Sequence, residues 1–269
     1  MAADRNELAL APTSLPNTPP LEFIAAARAA GYESIGLRLH RSPAYPNWFP
    51  IVGDTALMRE VQHALADAGV RLLDIFTFYL QPETDLDVMA AAMEFGATLG
   101  GRYAQLIGDD DDWSRMTANY ARFCDIAAGF NLVAAIEAPV NSRKVNSVPL
   151  AAKLIAAAAR PNSAIVLDPL QFFRSGDGID VLREHTGLIA YTQFNDGPSA
   201  GPRTEPGHGE VPLAEILNAL ADGVPISVEW SEPVAADQRV ATPATEWAAR
   251  TYASTRRFLD GYYTSSARA

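Results

Sequence analysis

The strongest constraint on the fold is an alternation of short apolar runs with longer helical patterns, which repeats eight times along the 269 residues. Most of the short runs are almost continuously apolar, as in strands of a parallel sheet that is covered on both faces. We predict strands at residues 7–12, 34–39, 71–76, 103–108, 132–139, 164–169, 188–194 and 225–230.

Helix-like segments follow each of these runs. Residues 54–69 illustrate the pattern, because Leu57, Val61 and Leu65 fall on one face of a predicted helix. Asp54 is its predicted N-cap, and Gly69 is the residue predicted to end it. Eight such units over about 250 residues are typical of a (β/α)8 barrel.

The alternative α/β architecture is a doubly wound open sheet. That fold would be favoured by a glycine-rich phosphate turn after the first strand, and the segment ALAPTSLPNTPP contains no glycine. We therefore predict an α/β fold consisting of a single (β/α)8 TIM barrel over residues 1–269. The last ~8 residues are expected to form a loose tail.

Charge and composition exclude several classes of partner. The chain has 21 Lys and Arg against 32 Asp and Glu, a net charge of −11, and no basic run that could attract a nucleic acid. No apolar run approaches the ~20 residues of a membrane span, and the first residues do not resemble a signal peptide. A single cysteine, Cys124, fits a reducing compartment. We expect a cytoplasmic protein that acts on a small molecule.

A polar residue closes each of the last four predicted strands. These residues are Glu137, Asp168, Gln193 and Glu229. In a TIM barrel, the carboxyl ends of the strands meet at one mouth, where active sites are built. Three carboxylates at one mouth repel each other and raise each other's pKa values unless a cation lies among them.

A divalent cation would resolve this repulsion. The four side chains supply only oxygen ligands, which favours Mn²⁺ or Mg²⁺, with Co²⁺ or Zn²⁺ as alternatives. Gln193 would then be the neutral fourth ligand. Taken singly, a strand-end carboxylate is more often a helix cap or loop hydrogen-bonding group, and Gln193 alone would be a satisfied core amide. The coincidence at four consecutive strand ends favours the metal site.

The chain resembles the xylose isomerase-like TIM-barrel superfamily of sugar phosphate isomerases and epimerases. The resemblance extends from LEFIAAARAAGYESIGLRL to PISVEW, and its most specific segments are IEAP, RPNSAIVLDPLQFFRSG, YTQFNDGP, PGHGEVPLAEIL and SVEW. It implies a metal-dependent isomerase or epimerase that acts on a keto-sugar, polyol or related hydroxy-carbonyl compound through an enediolate. It also implies that the chain can form a homo-oligomer.

The resemblance assigns further roles to single residues. Glu137 and Glu229 would be both metal ligands and the two proton-transferring groups, and Arg203 would lie over the substrate. Gln171 occupies a position where many members carry a substrate-contacting His, and His208 stands where many carry a Glu. We expect these two residues at the substrate pocket, although His208 is equally consistent with a loop residue that has no role.

Trp48 is a further candidate for substrate binding. It follows the second predicted strand, where it would either form a wall of the pocket or only cap the barrel.

Three alternative functions remain open. The first is a dehydratase of the 3-dehydroshikimate or inosose type, which Gln193 and the spacing in EAPVNSRKVN favour. Gln171 disfavours it, because an amide cannot act as an acid or base near neutral pH. The second is a barrel that binds ligands without catalysis. The third is a nuclease like endonuclease IV, which four scattered histidines and the net charge of −11 disfavour.

Overall fold

The computed structural model describes residues 6–42, 49–232 and 242–266. Eight parallel strands hydrogen-bond in sequence order and close into a barrel, in which the first strand pairs with the eighth. The strands are β1 (Leu8–Leu10), β2 (Ser34–Arg38), β3 (Arg71–Leu80), β4 (Tyr103–Gly108), β5 (Val133–Glu137), β6 (Ser163–Leu167), β7 (Ile189–Phe194) and β8 (Ile226–Val228). The predicted TIM barrel is confirmed, and each strand overlaps its predicted range.

The described residues contain nine α-helices, one more than predicted. They are α1 (Pro20–Ala30), α2 (Thr55–Ala68), α3 (Asp87–Thr98), α4 (Trp113–Gly129), α5 (Val148–Ala158), α6 (Pro169–Ser175), α7 (Ile179–His185), α8 (Leu213–Ala219) and α9 (Ala244–Ser266). The additional helix arises because two short helices, α6 and α7, connect β6 to β7. Gly176, with a φ of 77°, ends α6 between them.

The predicted ends of α2 are confirmed. The Asp54 carboxylate accepts hydrogen bonds from the backbone N–H groups of Ala56 and Leu57 and so caps the first turn. Gly69 adopts a left-handed conformation with a φ of 63° and ends the helix. Val61 and Leu65 are buried.

The prediction of a loose C-terminal tail is wrong for residues 262–266. Helix α9 continues to Ser266, and two of its last residues are tied to the barrel. The hydroxyl of Tyr262 donates to Asn218 Oδ1 at 2.7 Å, and that of Tyr263 donates to Asn6 Oδ1. No helix in the described parts of the chain is both long enough and apolar enough to cross a membrane.

Two apolar clusters hold the barrel together. The larger one lies between the strands and the surrounding helices, and Cys124 is buried within it. The smaller one fills the barrel interior and includes Ala135, Val166 and Tyr191. Side chains alternate between the two faces of a strand. Residues two positions after these three therefore also face the interior, nearer the carboxyl ends of the strands.

Candidate active site

The four polar residues predicted at strand ends lie at the carboxyl ends of β5, β6, β7 and β8. Glu137 is the last residue of β5, Gln193 lies one residue before the end of β7, and Asp168 and Glu229 immediately follow β6 and β8. All four are buried, with exposed fractions of 7% or less. Three carboxyl groups and an amide therefore lie at the carboxyl-terminal mouth of the barrel.

Glu137 is held by a chain of two polar side chains from neighbouring strands. Gln105 Nε2, on β4, donates a hydrogen bond of 2.5 Å to Glu137 Oε2. Thr77 Oγ1, on β3, donates in turn to Gln105 Oε1. These two hydrogen bonds fix the orientation of the Gln105 amide, which presents its N–H to the Glu137 carboxylate. Sequence reasoning missed both residues, although Gln105 is an amide inside an apolar strand just as Gln193 is.

Asp168 has a structural role in addition to its place in the site. Its Oδ1 accepts a hydrogen bond of 2.9 Å from the backbone N–H of Gln171 and caps α6. Its Oδ2 accepts from Asn195 Nδ2 at 2.9 Å and from Arg203 Nη2 at 3.1 Å. Asn195, a third residue that the sequence did not indicate, also accepts a hydrogen bond from the backbone N–H of Leu170. The carboxylate is thus fixed from three directions.

Gln193 is the most unusual member of the group. Its side chain is fully buried, and neither Oε1 nor Nε2 has a hydrogen-bond partner. Leaving a buried polar group unpaired costs ~1–3 kcal/mol, so buried amides are normally satisfied. The sequence alternative of a satisfied core amide is therefore wrong for this residue.

Arg203 connects two of the carboxylates. It comes from the loop between β7 and α8, and its Nη2 lies 3.1 Å from Asp168 Oδ2 and 3.4 Å from Glu229 Oε2. Burial disfavours the guanidinium charge, but Glu229 and Asp168 outweigh burial and raise the pKa of Arg203. The arginine therefore remains a cation, and it balances one of the three carboxylate charges.

The two glutamates have strongly raised pKa values. Burial is the largest cause for Glu137, and the charges of Glu229 and Asp168 raise its pKa further. Burial also raises the pKa of Glu229, and Arg203 partly offsets it, so that the pKa is about 7. Both glutamates can therefore hold a proton near neutral pH in the absence of a further cation, which is a property of acid–base groups in active sites.

A cavity of about 210 Å³ opens beside these residues. Glu137, Glu229, Arg203 and Gln171 line it, so two of the proposed ligands and two of the predicted substrate-binding residues share one cavity. Gln171 Oε1 accepts a hydrogen bond of 3.1 Å from the backbone N–H of Val140. That contact ties the start of α6 to the loop after β5.

The structure does not bring His208 to this cavity, so its predicted place at the pocket is wrong. His208 is exposed, in a turn whose position is set by the buried carboxylate of Asp196. Asp196 Oδ2 accepts from the backbone N–H groups of Gly207 and Gly209 at 2.9 and 3.0 Å, which turns the intervening side chain outward. Trp48, the other predicted substrate-binding residue, lies outside the described residues.

The donor atoms fit a hard divalent cation. Oxygen is the sole donor type among the four side chains, and Gln193 Oε1 and Glu229 Oε2 have no hydrogen-bond partner. Across the described residues, no group of three or more His, Cys, Asp or Glu side chains is arranged to hold a metal ion. The guanidinium of Arg203 contacts both Asp168 and Glu229.

A family model for the xylose isomerase-like TIM barrel matches residues 24–256. The chain belongs to this family. The resemblance seen in the sequence is thereby confirmed. No curated protein sequence matches the chain.

Solved structures of similar fold include an epimerase and a probable dehydratase. The IOLI protein with a bound zinc atom is 18% identical, with a TM-score of 0.76 and coverage of 95% of this chain and 99% of that one. D-allulose 3-epimerase from Methylomonas sp., in complex with D-allulose, is 17% identical, with a TM-score of 0.71 and coverage of 94% and 97%. The probable 3-DHS dehydratase AsbF from Bacillus anthracis is 15% identical, with a TM-score of 0.71 and coverage of 93% and 98%.

One similar structure is much longer than this chain. It is a fusion protein of a xylose isomerase-like TIM barrel with 4-hydroxyphenylpyruvate dioxygenase, at 20% identity and a TM-score of 0.75. The match covers 93% of this chain but 42% of the fusion protein. At these identities, the structures show that the fold is shared.

Proposed function

We propose that the chain is a divalent-metal-dependent isomerase or epimerase that acts on a keto-sugar, polyol or related hydroxy-carbonyl compound through an enediolate. The observation that carries the proposal is Gln193, a fully buried amide without a partner beside three buried carboxyl groups. An amide oxygen and carboxylate oxygens together form a typical ligand set for Mn²⁺ or Mg²⁺. Glu137, Asp168, Gln193 and Glu229 would hold the ion.

The metal, when bound, would polarise the substrate carbonyl and stabilise the negative charge that follows proton removal. The chain's own residues would move the proton. One of Glu137 and Glu229 would remove it from the carbon next to the carbonyl, and the other would return a proton to the opposite face. Proton transfer by positioned groups contributes typically ~10²–10⁴ in rate. Gln105 would keep Glu137 oriented for this step.

The charges that line the cavity favour an uncharged substrate. Among the described lining residues, Asp109, Glu137 and Glu229 are acidic, and Arg203 is the one with a positive charge. With Asp168 and one bound divalent cation included, four negative charges would face three positive ones, so the site would offer a phosphate or carboxylate group no surplus of positive charge. A neutral keto-sugar therefore suits the proposed site.

The second candidate is a dehydratase. It is favoured by Gln193 and by the overall similarity to the probable 3-DHS dehydratase. Two observations weigh against it. Gln171 cannot transfer a proton, and its side-chain oxygen is occupied by the backbone of Val140. A cyclic keto-acid would also bring a carboxylate to a site that has no surplus of positive charge even with the metal bound.

Proton exchange with solvent distinguishes these candidates. The Mn²⁺-loaded protein is incubated in D₂O with neutral ketohexoses and ketopentoses, and ¹H NMR follows loss of the signal from the carbon next to the carbonyl. We expect exchange and a new epimer with at least one sugar, and loss of both in Glu137→Gln. With a polyhydroxy keto-acid, an absorbing enone would instead favour the dehydratase. No exchange or product with any of these compounds would contradict both.

A further inference from the structure

Arg203 contacts two of the four side chains that we propose as metal ligands. Its Nη2 lies 3.1 Å from Asp168 Oδ2, in a hydrogen bond, and 3.4 Å from Glu229 Oε2. The second contact does not satisfy Glu229 Oε2, which is buried and has no hydrogen-bond partner. That oxygen is therefore held near a cation by charge alone, and its lone pairs remain available.

The loop around Arg203 is fixed by contacts that do not involve these carboxylates. On one side, Arg174 donates to the backbone carbonyls of Pro198 and Gly201, at 2.9 and 2.6 Å. On the other side, the N–H of Thr204 donates to the backbone carbonyl of Asp196 at 2.8 Å. The backbone of this loop therefore places the guanidinium at the mouth of the barrel, and this placement does not depend on the ion pairs of Arg203.

The charges at the mouth of the barrel imply that Arg203 and a bound metal ion would repel each other. Glu137, Asp168 and Glu229 can carry three negative charges, and Arg203 supplies one positive charge. When all three carboxyl groups are ionised, the net charge of −2 equals the charge that one divalent cation would neutralise. At the same time, a cation bound at Asp168 and Glu229 would lie close to a guanidinium that contacts both, and two positive charges at short range repel strongly in a buried site.

We propose that Arg203 and the divalent cation compete for Asp168 and Glu229, so that Arg203 weakens metal binding and the bound metal frees the guanidinium for the substrate. This inference rests on the function proposed above. The partner of Arg203 then changes from the two carboxylates to a substrate oxygen. It also makes substrate binding depend on prior metal binding.

Metal affinity measures this competition without any catalytic assay. The full chain is stripped with EDTA and titrated with Mn²⁺, and free Mn²⁺ is followed by electron paramagnetic resonance. We expect Arg203→Gln to bind Mn²⁺ ~10-fold or more tightly than wild type, within the usual range of coupling between two sites. Arg203→Lys keeps the charge and should stay near wild type. Arg183→Gln, which removes an arginine from an exposed pair with Asp180, is the matched control and should not change affinity.

A second measurement uses the wild-type protein alone and does not depend on the folding of Arg203→Gln. The side-chain Nε–H signal of Arg203, assigned by its absence from Arg203→Lys, is followed by NMR during titration with Mg²⁺. We expect the signal to shift as the metal binds. The competition would be refuted, and the proposed function left standing, if a folded Arg203→Gln bound Mn²⁺ equally or more weakly than wild type. An Arg203 signal that does not move at saturating Mg²⁺ would have the same meaning. If neither wild type nor any variant bound Mn²⁺, both the competition and the proposed function would be refuted.

Discussion

Asp74 is a buried acid that the proposed reaction does not use, and replacing it with asparagine tests the electrostatics of the barrel interior. The residue is 1% exposed, on β3. Its Oδ2 accepts a hydrogen bond of 2.8 Å from the Tyr191 hydroxyl, and its Oδ1 has no partner. A Cβ at Gly36 would lie 2.5 Å from Oδ1, so the glycine makes room for the carboxyl group.

The size of the effect follows from the pKa of Asp74. Burial raises this pKa from 3.8 to about 6 in the folded protein. Each unit corresponds to about 1.4 kcal/mol, so the shift amounts to ~3 kcal/mol. The folded state binds this proton more tightly than the unfolded state does. The contribution of Asp74 to the free energy of unfolding should therefore be fully present below about pH 4, and ~3 kcal/mol of it should be lost as the pH rises through about 6.

An asparagine at this position would keep an acceptor for Tyr191 and resemble the protonated acid, but it would not titrate. We therefore expect Asp74→Asn to match wild type near pH 4 and to be ~3 kcal/mol more stable at about pH 8. Urea unfolding at each pH measures the difference. Asp67→Asn, at an exposed position of α2, controls for the loss of one charge. If the free energies of unfolding of Asp74→Asn and wild type differ by the same amount at every pH, the reasoning fails.

Two further substitutions test the supports of the site. Gln105→Leu removes the donor to Glu137, and we expect metal affinity and turnover to fall ~10- to 100-fold, as for other residues that orient metal ligands. Unchanged Mn²⁺ binding would show that Glu137 needs no such support. Asp196→Ala removes the acceptor for the N–H groups of Gly207 and Gly209, and we expect a loss of ~3 kcal/mol in urea unfolding. We also expect rapid proteolysis between residues 199 and 210, and resistance equal to that of wild type would contradict this role.

The barrel could be predicted because its signal is local. Each strand is a short apolar run, and the ends of α2 are marked by Asp54 and Gly69, whose capping chemistry depends on neighbouring residues. The tail prediction failed for a different reason. The hydrogen bond of Tyr263 is to Asn6, 257 positions away in sequence, and no local pattern encodes such a partner.

The candidate site was predictable only in part. Glu137 and Gln193 were visible because a polar residue stands out in an apolar strand. The same criterion would have found Gln105, had it been applied inside strands as well as at their ends. The position of His208 could not be deduced, because it depends on the hydrogen bonds that the Asp196 carboxylate accepts from the backbone of the turn. The two contacts of Arg203 likewise depend on the path of a long loop.

The proposed function depends most on a metal ion bound at the ends of β5 to β8, and anomalous X-ray diffraction tests for that ion most directly. Crystals of the full chain are soaked in Mn²⁺, and data are collected at the manganese absorption edge. We predict one strong anomalous peak per chain, at bonding distance from oxygens of Glu137, Asp168, Gln193 and Glu229, and no such peak in Glu229→Ala. A wild-type map without a peak at this mouth, or with manganese bound only by other residues, would contradict the claim.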